Sequence, residues 1–164
     1  MIPSEQKGRP MDENQILTQV LGIKQLEVRS SAIEGAGEIY LTVEPLLKVA
    51  ACPDCSEISL HEHDRGNEQK VRDLSVAERR CWLVYRPRRF RCERCQKTFV
   101  ERVEWRRAGM SYTTRYERYI YQRSRREPIS QVAQDEGLSE EAVQTIFEDW
   151  AKKRLRHKAA RGSK

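Results

Sequence analysis

Arg88-Arg89-Phe90-Arg91-Cys92-Glu93-Arg94-Cys95-Gln96-Lys97-Thr98-Phe99-Val100 is the stretch on which the reading of this chain turns. At its centre is a Cys-x-x-Cys pair, and a second pair, Cys52-Pro53-Asp54-Cys55, lies upstream. This spacing lets two thiolates of one tight turn, a knuckle, face the same ion, and two knuckles complete a tetrahedral four-sulfur site. Cys52, Cys55, Cys92 and Cys95 are therefore the expected ligands of one Zn2+. Iron in a rubredoxin-like site uses the same four sulfurs, and the spacing does not exclude it. The positive charge entering the second knuckle points to a module that grips a polyanion rather than to a catalyst.

Thirty-six residues, 56–91, separate the knuckles, so the spacer must carry structure of its own. Val71-Arg72-Asp73-Leu74 and Cys81-Trp82-Leu83-Val84-Tyr85-Arg86 read as strands, with Gly66-Asn67 as a turn and Pro87 as an interruption. Strands joining two knuckles make a zinc ribbon. Cys81, on an alternating strand, reads as a small buried hydrophobe, and His61 and His63 as a solvated pair. Trp82, Tyr85, Phe90, Phe99 and Trp105 read as ribbon core and covering layer, because the ribbon has few other apolar residues to bury.

Upstream, residues 1–10 are polar, with Pro3, Gly8 and Pro10, and read as disordered. Asp12 starts a helix whose Ile16, Leu17, Val20 and Leu21 share one face, and Gly22 closes it. Leu26-Glu27-Val28-Arg29 and Glu38-Ile39-Tyr40-Leu41-Thr42-Val43 flank Gly35-Ala36-Gly37 as a hairpin. Downstream, a helix over 113–126 stops near Pro128. In Ile129-Ser130-Gln131-Val132-Ala133-Gln134-Asp135-Glu136-Gly137-Leu138-Ser139 a short helix ends at Gly137, and Ser139 caps the next. Small Ala133 allows a close crossing, and Val143, Ile146 and Trp150 face inward. These features predict a helix-turn-helix. The fold expected is α+β: disordered 1–10, helix plus hairpin 11–48, zinc ribbon 49–104, helix-turn-helix 105–154 and a basic tail 155–164.

The net charge of +6 is segregated. Residues 79–127 carry 16 basic against 5 acidic side chains, and residues 152–164 carry 7 basic and no acidic ones. Such blocks are what a phosphate-binding footprint requires. Arg86, Arg88, Arg89, Arg91 and Arg94 on the ribbon are the expected phosphate contacts. So are Arg115, Arg118, Arg123, Arg125, Arg126, Lys152, Lys153 and Arg154 on the helical part. The outward positions of the second motif helix are Ser139, Glu140, Glu141, Gln144, Thr145 and Glu148. Its carboxylates repel phosphate, so Gln144 and Thr145 are the expected base contacts, Ser139 at the helix start is an expected DNA contact, and the acidic residues suit a protein-contact face.

Taken together, the residues resemble the N-terminal region of ISL3-family transposases of bacterial insertion sequences. Cys-Pro-x-Cys at 52–55, Asp73-Leu74, Arg88-Arg89-Phe90-Arg91-Cys92-x-x-Cys95, Lys97-Thr98-Phe99-Val100-Glu101 and the later helix-turn-helix carry the resemblance over about residues 40–154. It implies a zinc finger plus helix-turn-helix that recognises an element's terminal inverted repeats during transposition, a DNA recombination. The family's usual knuckle glycines are Ser56 and Gln96 here, and Ser75-Val76-Ala77-Glu78-Arg79 replaces a Pro and Gly. The chain stops at Lys164, before room for the family's integrase-type catalytic domain. The expectation is thus a DNA-binding protein with no catalytic residues. A transposase-derived transcriptional regulator and a protein- or RNA-docking adaptor are the alternatives. Duplex DNA is the expected partner, with a second copy or a separate catalytic transposase chain beside it. No apolar run approaches the ~20 residues that span a bilayer, and no signal peptide opens the chain, so no membrane role and a cytoplasmic location are expected.

Overall fold

The computed structural model describes residues 11–35 and 37–162. The expected disorder of 1–10 lies outside them. The fold is α+β, and it divides into two compact units: the described residues of Met1–Val71 with Val76–Arg102, and those of Arg72–Ser75 with Val103–Lys164.

In the first unit, α1 (Glu13–Leu21) begins at a reciprocal cap. The Gln15 backbone N–H donates to Asp12 Oδ1 at 2.8 Å, and the Asp12 N–H donates to Gln15 Oε1 at 3.2 Å. Gly22, at φ 62°, closes the helix as expected. The expected four-residue apolar face is only half used: Leu21 is buried and Leu17 half-buried, while Ile16 and Val20 face solvent. The polar side of α1 is used instead. Asn14 donates to the Arg29 carbonyl and Thr18 Oγ1 accepts from the Val28 N–H, satisfying backbone groups of the neighbouring strand.

That strand, β1 (Leu26–Glu34), forms the expected hairpin with β2 (Glu38–Pro45), with a bulge between Val28 and Ser30. Three short strands follow: β3 (Ala50–Ala51), β4 (Ile58–Ser59) and β5 (Glu62–Arg65). Then come β6 (Gln69–Val76), β7 (Arg79–Tyr85), β8 (Arg88–Arg91) and β9 (Thr98–Val100). The expected boundary between a hairpin module and the ribbon does not exist as a structural break. β2 pairs in parallel with β7, setting Ile39 beside Cys81 and Leu41 beside Leu83 in a four-stranded sheet of order β1-β2-β7-β6. Alternate residues Leu26, Val28, Leu41, Val43, Val71, Cys81, Leu83 and Tyr85 are buried, which gives this sheet one apolar face. The sheet β5-β8-β9 and the small ladder β3-β4 carry the knuckles. There Phe90, fully buried, stacks on Phe99 at 6.0 Å between centroids.

The second unit contains α2 (Thr114–Ser124), α3 (Ile129–Glu136) and α4 (Glu140–Gly162). Tyr116, Ile120, Val132, Ala133, Val143 and Ile146 form its buried cluster, with Leu74, Leu138 and Trp150 packed against it. Gly137 takes the left-handed conformation at φ 66°, the Leu138 N–H reaches back to the Ala133 carbonyl, and Ser139 Oγ accepts from the Ala142 N–H. The turn was thus legible residue by residue. The expected tail from 155 is not a separate segment, because α4 continues as one helix to Gly162.

Candidate metal centre and nucleic-acid interface

Each knuckle is a short strand, a turn and a short strand. The Cys52 N–H donates to the Glu57 carbonyl and the Ser56 N–H to the Cys52 carbonyl; in the second knuckle the Cys92 N–H donates to the Lys97 carbonyl. The residue after each second cysteine needs positive φ, and Ser56 (63°) and Gln96 (58°) adopt it without glycine. Gln96 is braced there: its amide donates to the Glu93 carbonyl at 2.5 Å and its oxygen accepts from Arg91 at 3.1 Å. Lys97 on one knuckle reaches Asp54 on the other at 3.0 Å.

The four thiols converge. Cys52 and Cys95 sulfurs are 3.7 Å apart, Cys55 and Cys92 sulfurs 3.5 Å, and all four lie within 4.8 Å of one another. These separations are far beyond a disulfide bond of ~2.05 Å. A tetrahedral ion with arms of ~2.3 Å requires sulfur–sulfur edges of about 3.8 Å, so the cluster has the size of a zinc site. Backbone N–H groups already aim at the sulfurs. That of Cys95 is foremost in holding the Cys92 thiol down to about 7. The Glu57 N–H acts in the same direction on Cys55, but burial and the neighbouring thiols push it up to about 12. Four thiols packed together resist losing four protons, and a divalent cation removes that resistance. The residues therefore fit one Zn2+, which Cys52, Cys55, Cys92 and Cys95 hold as a structural clamp between the knuckles. Cys81 is buried in the sheet, away from this cluster, and His61 is exposed and paired with Glu93 at 2.6 Å.

The expected phosphate contacts separate into two classes. Arg86, Arg89, Arg91 and Arg94 are exposed on the first unit, although Arg89 forks onto Asp64 and Arg86 lies 3.8 Å from Glu68. Arg88 is not a surface cation. It is 4% exposed, binds both Glu101 carboxylate oxygens, and donates to the Leu47 carbonyl at 2.8 Å. Glu101 also accepts from the Tyr85 hydroxyl at 2.6 Å. Burial disfavours the Arg88 charge, but Glu101 outweighs it and the guanidinium is held above its ordinary range.

In the second unit Arg118, Arg125, Arg126, Lys152, Lys153 and Arg154 are exposed. Arg115 and Arg123 are committed inward instead. Arg115 forks onto Asp73, which is fully buried and also accepts from the Thr113 hydroxyl at 2.6 Å. This gives the Asp73-Leu74 pair its physical role: Asp73 holds the N-cap of α2, and Leu74 packs on the helical core. Arg123 pairs with Glu127, with Asp135 at 2.7 Å and with Glu136 at 3.1 Å. Ser139 serves as a cap, Gln144 donates to Glu148 at 2.7 Å, and Thr145 donates to the Glu141 carbonyl at 2.9 Å; Gln144 and Thr145 remain exposed.

Sequence reasoning missed the buried charges. Glu117 is fully buried against Arg107, and Glu136 accepts from the Tyr116 and Tyr119 hydroxyls. The available signal was a carboxylate one position from an inward aromatic, as in Tyr116-Glu117, within a helix rich in arginine.

No helix among the described residues is long and apolar enough to cross a membrane. No curated protein and no solved structure matches the chain. Residues 48–95 match the zinc-finger of transposase IS204/IS1001/IS1096/IS1165, and residues 101–151 match the helix-turn-helix domain of transposase family ISL3. The first match ends on the last thiol ligand and the second covers the three-helix packing just described. Carrying both modules in this order, the chain belongs to the ISL3 transposase family, as its zinc-ribbon and helix-turn-helix region.

Proposed function

We propose that this chain recognises a specific duplex DNA sequence, the terminal repeats of an ISL3-type element, and performs no strand transfer itself. The observation that carries this reading is the sorting of its cations. Arg88, Arg115 and Arg123 are taken up by internal carboxylates, whereas Arg86, Arg91, Arg94, Arg118, Arg125, Arg126, Lys152, Lys153 and Arg154 are left on the surface. Exposed cations in such numbers suit a phosphate backbone, and α4 of the helix-turn-helix is the element that enters a groove. The zinc clamp holds the ribbon arginines in fixed register. The protein would act in the cytoplasm, beside a second copy or a separate catalytic chain.

Selection of duplexes from a random-sequence library by the full zinc-loaded chain tests the proposal. A single enriched site, bound with an affinity that falls steeply with salt, is the expected result. Absence of duplex binding at low salt would sink it, and cleavage of the selected duplex by the purified chain would overturn the non-catalytic role. The acidic surface residues Glu140, Glu141 and Glu148 favour a second reading, a protein-docking face on the same unit. Enrichment of no duplex, together with binding of a purified basic partner chain that charge reversal of those three residues removes, would favour it.

A further inference from the structure

Helix α4 changes sign along its length. From Glu140 to Asp149 it carries four acidic side chains and no basic one; from Lys152 to Arg161 it carries six basic side chains and no acidic one. The packing changes at the same place. Val143 and Ile146 are buried and Trp150 is half-buried, whereas every residue from Lys152 to Arg161 is exposed. The basic half is therefore a helical extension about 15 Å long, tied to its own unit at its base, where Lys153 lies over the Trp150 ring at 5.0 Å and Lys152 stands 4.0 Å from Glu148.

The cations of the extension are not spread at random around it. At about 100° per residue, Lys152, Lys153 and Arg156 fall within an arc of about 100° on one flank. Arg154, Lys158 and Arg161 fall within about 60° on the opposite flank. Between the flanks runs a narrow strip of Ala151, Leu155 and Ala159, spaced i, i+4, i+8, with Leu155 68% exposed.

We propose that this extension, Lys152–Arg161, is the segment that lies in the DNA major groove, and that the acidic first half of α4 stays out of it. The proposal rests on the DNA-binding reading above and specifies where that reading acts. A helix in the major groove has a phosphate strand on each side and base edges beneath it. It needs cations on two opposite flanks and small or apolar residues on the face between them. The extension has both features. The first half of α4 has neither, since Glu140, Glu141 and Glu148 would face phosphate. A helix resting on one phosphate strand needs cations on one flank only. A second copy of the extension is repelled by six like charges on each partner. An interfacial membrane helix needs a broad apolar face, and here that strip has one large side chain.

The test uses the full zinc-loaded chain and a 40-base-pair duplex taken from the library selection. Lys152→Gln/Arg156→Gln removes charge from one flank and Arg154→Gln/Lys158→Gln from the other. All four side chains are exposed, and helicity measured by circular dichroism confirms that α4 persists. Each pair is expected to lower the slope of log affinity against log salt by about 2, in line with ~0.9 per phosphate contact. Gln144→Ala/Thr145→Ala should cost less affinity than either flank pair, and the bound chain should shield guanine N7, in the major groove, from methylation.

A slope change from one flank only, or a large loss from Gln144→Ala/Thr145→Ala with the flank variants unaffected, overturns the groove assignment while duplex recognition stands. Absence of duplex binding by the unmodified chain overturns duplex recognition and the groove assignment together. Binding to phosphatidylserine vesicles that both flank pairs abolish, with duplex binding unchanged, would assign the extension to a lipid surface instead.

Discussion

The knuckles and the helical unit meet the same shortage of apolar residues in different ways. Around the knuckles the aromatic pair is a buried Phe90 and a half-buried Phe99, and order depends on four sulfurs brought within 4.8 Å. The helical unit has a six-residue apolar cluster and surrounds it with buried carboxylates, each answered by arginine or tyrosine. One region concentrates its stability in a single ion; the other distributes it over many pairs. Loss of one component should therefore be catastrophic in the first and graded in the second.

The largest expected effect is metal removal. Chelation, or Cys92→Ser, should release zinc and abolish hydrogen-exchange protection over residues 88–100, while residues 114–150 keep theirs. Structural zinc supplies on the order of 10–16 kcal/mol in small metal modules, comparable to a whole domain's usual margin of about 5–15 kcal/mol. A metal-free protein with protected knuckle amides would remove the contrast between the two regions.

Second in size is the buried pair of the first unit. Glu101→Gln leaves the Arg88 guanidinium without its anion at 5% side-chain exposure. A loss of about 3–5 kcal/mol is expected from breaking such a pair on one side. Arg88→Met with Glu101→Leu should recover most of it, since the pair's burial cost disappears along with the pair. Denaturant unfolding of the zinc-loaded variants measures both. If Glu101→Gln proved harmless and affinity for DNA fell instead, Arg88 would belong with the surface cations after all.

The helical unit should show its distributed character in acid. The Arg123 guanidinium holds the Glu127 carboxyl below its usual range, and Arg123 with Gln131 does the same for Asp135. A carboxyl lowered in the folded state adds stability that is complete above its unfolded pKa and fades as pH falls through the folded one. Helix melting followed from pH 6 down to pH 2 should therefore show a progressive decline below the ordinary carboxylate range. Arg123→Met should flatten that decline. The effect should be smaller than that of Glu101→Gln, because Glu127 and Asp135 stand partly in solvent.

These contrasts also explain what the sequence disclosed. Knuckle spacing, the Asp12 cap, Gly137 and Ser139 all act between residues a few positions apart, and local chemistry is written locally. The parallel pairing of β2 with β7 joins residues about forty positions apart, and no periodicity encodes a partner at that distance. The same holds for arginine. Arg88 and Arg89 are adjacent and chemically identical, yet one is buried on Glu101 and the other is exposed beside Asp64. Strand alternation puts them on opposite faces, but which face is inside depends on Phe90, Phe99 and the metal. Charge counting found the basic block correctly and could not tell which of its members were already spent.

The smallest effect separates the two knuckles from each other. Ser56 and Gln96 both hold positive φ, where a side chain strains the backbone and glycine does not. Ser56 is exposed, so Ser56→Gly relieves strain at little cost beyond added freedom in the unfolded chain. A gain of about 0.5–1 kcal/mol is expected, read as slower zinc release to a competing chelator. Gln96→Gly relieves the same strain but discards hydrogen bonds to the Glu93 carbonyl and from Arg91. Each such bond contributes about 0.5–1 kcal/mol, so the second substitution should be neutral or mildly destabilising. Equal gains at both positions would mean that the Gln96 bonds contribute nothing. A loss at Ser56 would mean that the first knuckle tolerates its left-handed serine without strain. The predicted asymmetry follows from a side chain that supplies, by hydrogen bonding, the turn stability that glycine supplies by having no side chain.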